Sequence, residues 1–154
     1  MKKQNFTLIE LLVVIGIIGI LFGILLPAVS SAMQEGKKTK AASTCRQIAM
    51  ACESYKADYQ INVDSSNTEM DFNAIREVFN AVTKAEWEAG NENNPRNKAY
   101  FSTIKDLLNP WEKPYYVQFD SDYNGVIDTS MGQAAGSVVV WTIDKSGSLI
   151  RSDQ

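Results

Sequence analysis

The chain has 154 residues, a formal net charge of −3 and a pI near 5.0, which leaves room for one modest domain and excludes the basic surface that bulk nucleic-acid binding requires. It contains no histidine, so the commonest general base and metal ligand is missing, and any catalysis would rest on carboxylates, Lys, Tyr or Cys. No nucleophile, base and orienting group are set out together, and the expectation is a protein that is not an enzyme.

From Phe6 to Val29 the sequence is almost wholly apolar, long enough as a helix to cross a hydrocarbon layer about 30 Å thick. Lys2 and Lys3 precede it, and the positive-inside rule predicts a cytoplasmic N-terminus with the remainder sent across. A secretory signal would have a shorter run without internal charge. Ala28-Val29-Ser30 could pass for its cleavage site, but the length of the run and Glu10 within it favour a retained span. An acid inside a membrane segment costs about 2.5–3.5 kcal/mol on insertion scales, so Glu10 either reaches water at the interface or needs a cation from elsewhere. Gly16, Gly19 and Gly23 leave a stripe without side chains, including a GxxxG step, against which another helix can pack; glycine is also simply common in membrane helices. Pro27 predicts a kink where the helix leaves the apolar layer.

Lys2-Lys3-Gln4-Asn5 followed by Phe6-Thr7-Leu8-Ile9-Glu10-Leu11-Leu12-Val13-Val14 resembles the leader and methylation motif of type IV pilins and type II secretion pseudopilins. The resemblance implies that a prepilin peptidase cuts between Asn5 and Phe6 and methylates the new amine. It implies that Glu10 pairs with the N-terminus of a neighbouring subunit during assembly. Asn5 departs from the Gly usual before the cut. The implied partners are further copies in a filament, the peptidase, an inner-membrane assembly platform and minor pseudopilins, with a single inner-membrane pass and a periplasmic globular part.

Beyond Ser30 the helical pattern continues: Ala41, Cys45, Ile48, Cys52, Tyr55 and Tyr59 recur in steps of three and four on one face, with Lys37, Lys38, Lys40, Arg46, Glu53, Lys56 and Asp58 elsewhere. This predicts one helix of about 50 residues whose second half lies along a small domain. A coiled-coil seam is the alternative for that stripe. Cys45 and Cys52 would sit about 10 Å apart on the helix, too far to pair, and read as small apolar core residues.

Polar residues 62–66 end the helix. A second helix is expected from an Asp71 cap through Phe72, Ile75, Val78, Phe79 and Val82, then a loop over 90–97 and a short helix over 102–108. Strands are expected over 115–119, 137–143 and 148–151, with Asp144-Lys-Ser-Gly147 turning between the last two, giving a three-stranded antiparallel sheet. The divisions are leader 1–5, span 6–29, amphipathic continuation 30–60 and globular part 61–154. The fold class is α+β: a long N-terminal helix packed on a small antiparallel sheet, pilin-like, with short extra helices. Asn109-Pro-Trp-Glu-Lys-Pro-Tyr115 is similar to the Asp-Pro-Trp-Gly-x-Pro-Tyr segment before the sheet of major pseudopilins. Asn109 and Glu112 replace the usual Asp and Gly, and the turn is expected to differ there.

Asp120, Asp122, Asn124, Val126 and Asp128 stand at alternate positions around Gly125, as at the opening of an EF-hand calcium loop. Met131 occupies the twelfth position, where a bidentate Glu is expected. The same residues suit an Asx-rich turn between strands. Major pseudopilins bind calcium in a loop of this region, so the resemblance implies a structural calcium here. The function implied is a subunit of a type II secretion pseudopilus. The alternatives are a type IV pilin or minor pilin serving adhesion, motility or DNA uptake, and a membrane-anchored extracytoplasmic calcium-binding domain.

Overall fold

The computed structural model describes residues 7–62, 68–72, 98, 100 and 108–153. Asn5 and Phe6, the expected second helix beyond Phe72, the loop over 90–97 and the short helix over 102–107 lie outside the described residues.

Helix α1 spans Leu8–Tyr59, 52 residues, and Pro27 lies within it without ending it. The carbonyl that a helical proline crowds lies four residues back, here on Gly23. The helix stops at Gln60, whose φ of 59° is left-handed and whose N–H donates to the Lys56 carbonyl at 2.8 Å. That is an αL cap made without glycine.

The chain divides at Lys37/Lys38 into two compact units. In the first, every described residue from Thr7 to Gly36 is exposed, apolar ones on all sides. A helix apolar all round is not a soluble-domain surface, and this one is long and apolar enough to cross a membrane.

In the second unit, the six strands are β1 (Met70–Asp71), β2 (Tyr116–Phe119), β3 (Val126–Thr129), β4 (Gly132–Ala135), β5 (Val138–Ile143) and β6 (Leu149–Arg151). Four of them form an antiparallel sheet in the order β1-β2-β5-β6, and β3 and β4 form a separate hairpin. Three strands are expected from the sequence, and β2, β5 and β6 match them. The correction is the two-residue β1, pairing Met70 with Val117 and Asp71 with Tyr116, and the hairpin in which Val126 faces Ala135 and Thr129 faces Gly132. A strand as short as β1 has no period to read, and its pairing is a long-range event.

Period-two alternation sorts the core into two layers. Val117 and Phe119 of β2 with Val138 and Val140 of β5 pack against Cys45, Ile48, Ala51, Cys52 and Tyr55 of α1, the stripe seen in the sequence. On the other face Val139 and Trp141 pack against Ile127 and Ala134 of the hairpin. Strand β5 is therefore covered on both sides, which is why Val138-Val139-Val140-Trp141 reads as an apolar run without alternation. Cys45 and Cys52 are free and buried.

Asn109 explains the altered approach to the sheet. Its side chain is buried, and Oδ1 accepts the Trp111 and Lys113 amides, each at 2.9 Å. Its Nδ2 donates to Thr142 Oγ1 and to the Ile143 carbonyl, each at 2.8 Å. Glu112 holds the turn at φ 61°, a conformation that glycine adopts without strain.

Candidate functional site

Two places hold the residues that the sequence singles out, one in each unit. At the start of α1, the Thr7 N–H and hydroxyl donate to Glu10 Oε2 at 2.8 and 2.6 Å. The Glu10 N–H donates back to Thr7 Oγ1 at 3.3 Å. This is a reciprocal capping box, with Thr7 as the cap and Glu10 three residues on. Thr7 is absent from the site residues expected above, although Thr-x-x-Glu before an apolar run is a legible signal. Glu10 is exposed, and a Cβ at Gly16, Gly19 or Gly23 would meet nothing within 4 Å, so the glycine stripe is open.

The second place is the loop joining β2 to β3. Asp120 is 5% exposed and turned into the loop: Oδ1 accepts the Asn124 N–H at 3.2 Å and Oδ2 the Gly125 N–H at 2.8 Å. Asp122 accepts the Asn124 side-chain amide at 2.7 Å, and Asn124 Oδ1 accepts the Val126 N–H at 2.6 Å. Burial pushes the Asp120 carboxyl up, but the Gly125 N–H, the contact with Asp122 and the Asn124 N–H outweigh it and hold the group below its ordinary value. Asp128 stands in β3, where its carboxylate accepts Gln133 Nε2 at 2.8 Å. The loop is tied to the end of α1 by Asn62 Nδ2 on the Asp120 carbonyl at 3.0 Å and by Lys56 Nζ 4.9 Å above the Tyr123 ring.

The structure thus gathers Asp120, Asp122 and Asn124 in one turn and carries Val126 and Asp128 into the hairpin. Among the described residues no three His, Cys, Asp or Glu side chains form a group that could hold a metal. The donor set is nevertheless all oxygen, and Asn62 Oδ1 is a buried acceptor beside the loop that has no hydrogen-bond donor among the described residues. A hard cation suits such donors, so Asp120, Asp122 and Asn124 are the residues that would hold one. In the sequence Asn62 stands out only as the polar end of the helix, and no local pattern connects it to the loop.

Residues 2–26 match the family described as the prokaryotic N-terminal methylation motif. With an apolar helix that continues into an antiparallel α+β domain, this defines a membrane-anchored, pilin-like protein. The chain is 33% identical over 115 residues to the type II secretion system core protein G of Pseudomonas aeruginosa, covering 74% of this chain and 72% of that protein. The chain belongs to the family of that core protein, the major pseudopilins. No solved structure matches it significantly.

Proposed function

We propose that the chain is a structural subunit of a type II secretion pseudopilus, polymerising through α1 into a filament that drives protein export. The observation that carries this reading is a carboxylate, Glu10, held at the head of an apolar helical segment that is exposed from Thr7 to Gly36 and belongs to the same helix whose second half packs in a folded domain. A carboxylate so placed needs a cation, and the methylated N-terminus of a neighbouring copy supplies one. Gly16, Gly19 and Gly23 give the neighbouring helix close approach. The chain performs no chemistry of its own.

In this reading the chain sits in the inner membrane with its N-terminus inside and its domain in the periplasm. A prepilin peptidase removes residues 1–5 before Phe6, the assembly platform extracts the subunit, and minor pseudopilins join it. The N-terminal mass of the protein from membranes with and without the peptidase tests this. N-methylated Phe6 appearing only with the peptidase is expected. An uncut Met1 start, or a cut near Ser30, sinks it.

The loop is proposed to bind calcium weakly, in the roughly 10⁻⁴–10⁻³ M range of extracellular sites. Its role there is to neutralise Asp120 and Asp122 and fix the loop. The buried Asn62 Oδ1, which has no donor among the described residues, supports this. A calcium-dependent rise in melting temperature that Asp122→Asn removes is expected, and a melting temperature indifferent to calcium and chelator refutes it.

A further inference from the structure

We infer that Asn124–Gly125 is a deamidation site which the Asp120 carboxylate keeps closed. The step is exposed, and Gly125 has no Cβ to hinder ring closure. In the reaction the Gly125 amide nitrogen loses its proton and attacks Asn124 Cγ. A C–N bond to Gly125 forms as the bond to Asn124 Nδ2 breaks, and ammonia leaves. Water then opens the succinimide at either carbonyl, leaving aspartate or isoaspartate. No oxidant or cofactor is needed.

Both reacting groups are engaged in the folded loop. The nucleophile donates its proton to Asp120 Oδ2 at 2.8 Å, and an amide that donates to an anion resists deprotonation. On its other side, the Gly125 carbonyl accepts the Gly136 N–H at 3.1 Å. The electrophile is pinned at both ends, with Asn124 Nδ2 on Asp122 and Oδ1 on the Val126 N–H. Ring closure requires Asn124 to leave Val126 and Gly125 to leave Asp120. Asp120 is itself buried and holds two successive amides of the loop, so releasing Gly125 means breaking the turn. Opening it converts Asn124 into a third acid beside Asp120 and Asp122, altering the charge of the loop irreversibly.

The test follows Asn124 by peptide-mapping mass spectrometry during mildly alkaline incubation of the full chain in detergent, with chelator present. The free peptide 120–128 is the reference. The folded chain is expected to deamidate roughly 10- to 100-fold more slowly than the peptide, the factor by which a hydrogen bond to a charged group biases an equilibrium. Asp120→Asn is expected to bring the rate toward that of the peptide. A folded chain reacting at the peptide's rate overturns the inference, as does a folded Asp120→Asn variant no faster than wild type. If that variant does not fold, hydrogen exchange at the Gly125 amide of the wild type decides: strong protection supports the clamp, and exchange at the peptide rate overturns it.

Discussion

Asn109→Asp restores the acid usual in the related turn and is predicted to destabilise this chain. The buried Asn109 amide works as donor and acceptor at once. Aspartate keeps the two bonds from the Trp111 and Lys113 amides, because an oxygen remains on that side. On the other side it sets a second acceptor against the Ile143 carbonyl and against Thr142 Oγ1, whose proton is already given to the Pro114 carbonyl at 2.7 Å. Two bonds of about 1 kcal/mol each are lost, and a buried carbonyl is left without its donor at about 1–3 kcal/mol. The sum, about 3–5 kcal/mol, corresponds to roughly 10–20 °C in melting temperature for a domain of this size. The assay is thermal or urea unfolding of the full chain in detergent, read by tryptophan fluorescence. The penalty should shrink on acidification, since the introduced carboxyl, once protonated, can donate to the Ile143 carbonyl as the Asn109 amide does. An Asn109→Asp chain as stable as wild type at neutral pH, or one that weakens further in mild acid by more than wild type does, refutes the argument.

Four further outcomes are expected. Glu112→Gly relieves a left-handed residue at φ 61° and should raise stability by about 1 kcal/mol; a fall in the urea midpoint would count against strain there. Trp141→Ala empties the layer between the sheet and the hairpin, where Trp141 also stacks on Tyr116 at 5.9 Å. It should cost about 3–5 kcal/mol in the same unfolding assay. Burial pushes the Cys45 thiol up to about 12 and Cys52 up as well, so neither should react with a water-soluble maleimide until the chain is unfolded; stoichiometric labelling of native protein would contradict the packing. The Asp144 carboxyl is held below its ordinary 3.8 by the Ser146 hydroxyl and the Ser148 N–H, aided by the charge of Lys38, against desolvation. Its folded pKa is lowered, so its stabilisation is present above the unfolded value and lost as pH falls through the folded one. Asp144→Asn should therefore flatten the fall of melting temperature as pH drops below the ordinary carboxylate range, and an unchanged acid limb would remove Asp144 from that account.

What is legible in the sequence is local. The helical stripe from Ala41 to Tyr59 follows from a period of 3.6, and β2 and β5 from short runs of β-branched and aromatic residues. The prepilin-like start is legible because the chemistry needs its residues at adjacent positions. Strand β1 and the partners of the loop are not legible, since Met70 meets Val117 and Asn62 meets Asp120 only through the fold. Residues 126–128 read as a ligand set or a turn and are a strand. Two apolar residues with one acid leave the choice to tertiary context, and the partner strand, Gly-Gln-Ala-Ala, has low strand propensity. The Asn109 turn is legible as a departure but not as a solution, because the compensating group is Thr142, far along the chain.

These long-range bonds explain how a helix as long as α1 holds its second half. Most of a helix's stability in a protein comes from packing of its amphipathic face rather than from propensity. The stabilising contacts are distributed along it. Near Lys38, the β5–β6 turn presents Asp144, whose ionised state that lysine favours. In the middle, Cys45, Ile48 and Cys52 are sealed against β2 and β5. At the end, Tyr55, Tyr59 and Tyr100 cluster with ring centroids 4.7 to 6.4 Å apart, and Lys98 and Tyr100 both donate to Asp58. The loop adds Tyr123 and Asp120 to the same terminus through Lys56 and Asn62. Loosening the loop would therefore release contacts at the last turn of α1 first, and fraying should propagate from Tyr59 back toward the Cys52 layer before the sheet itself opens.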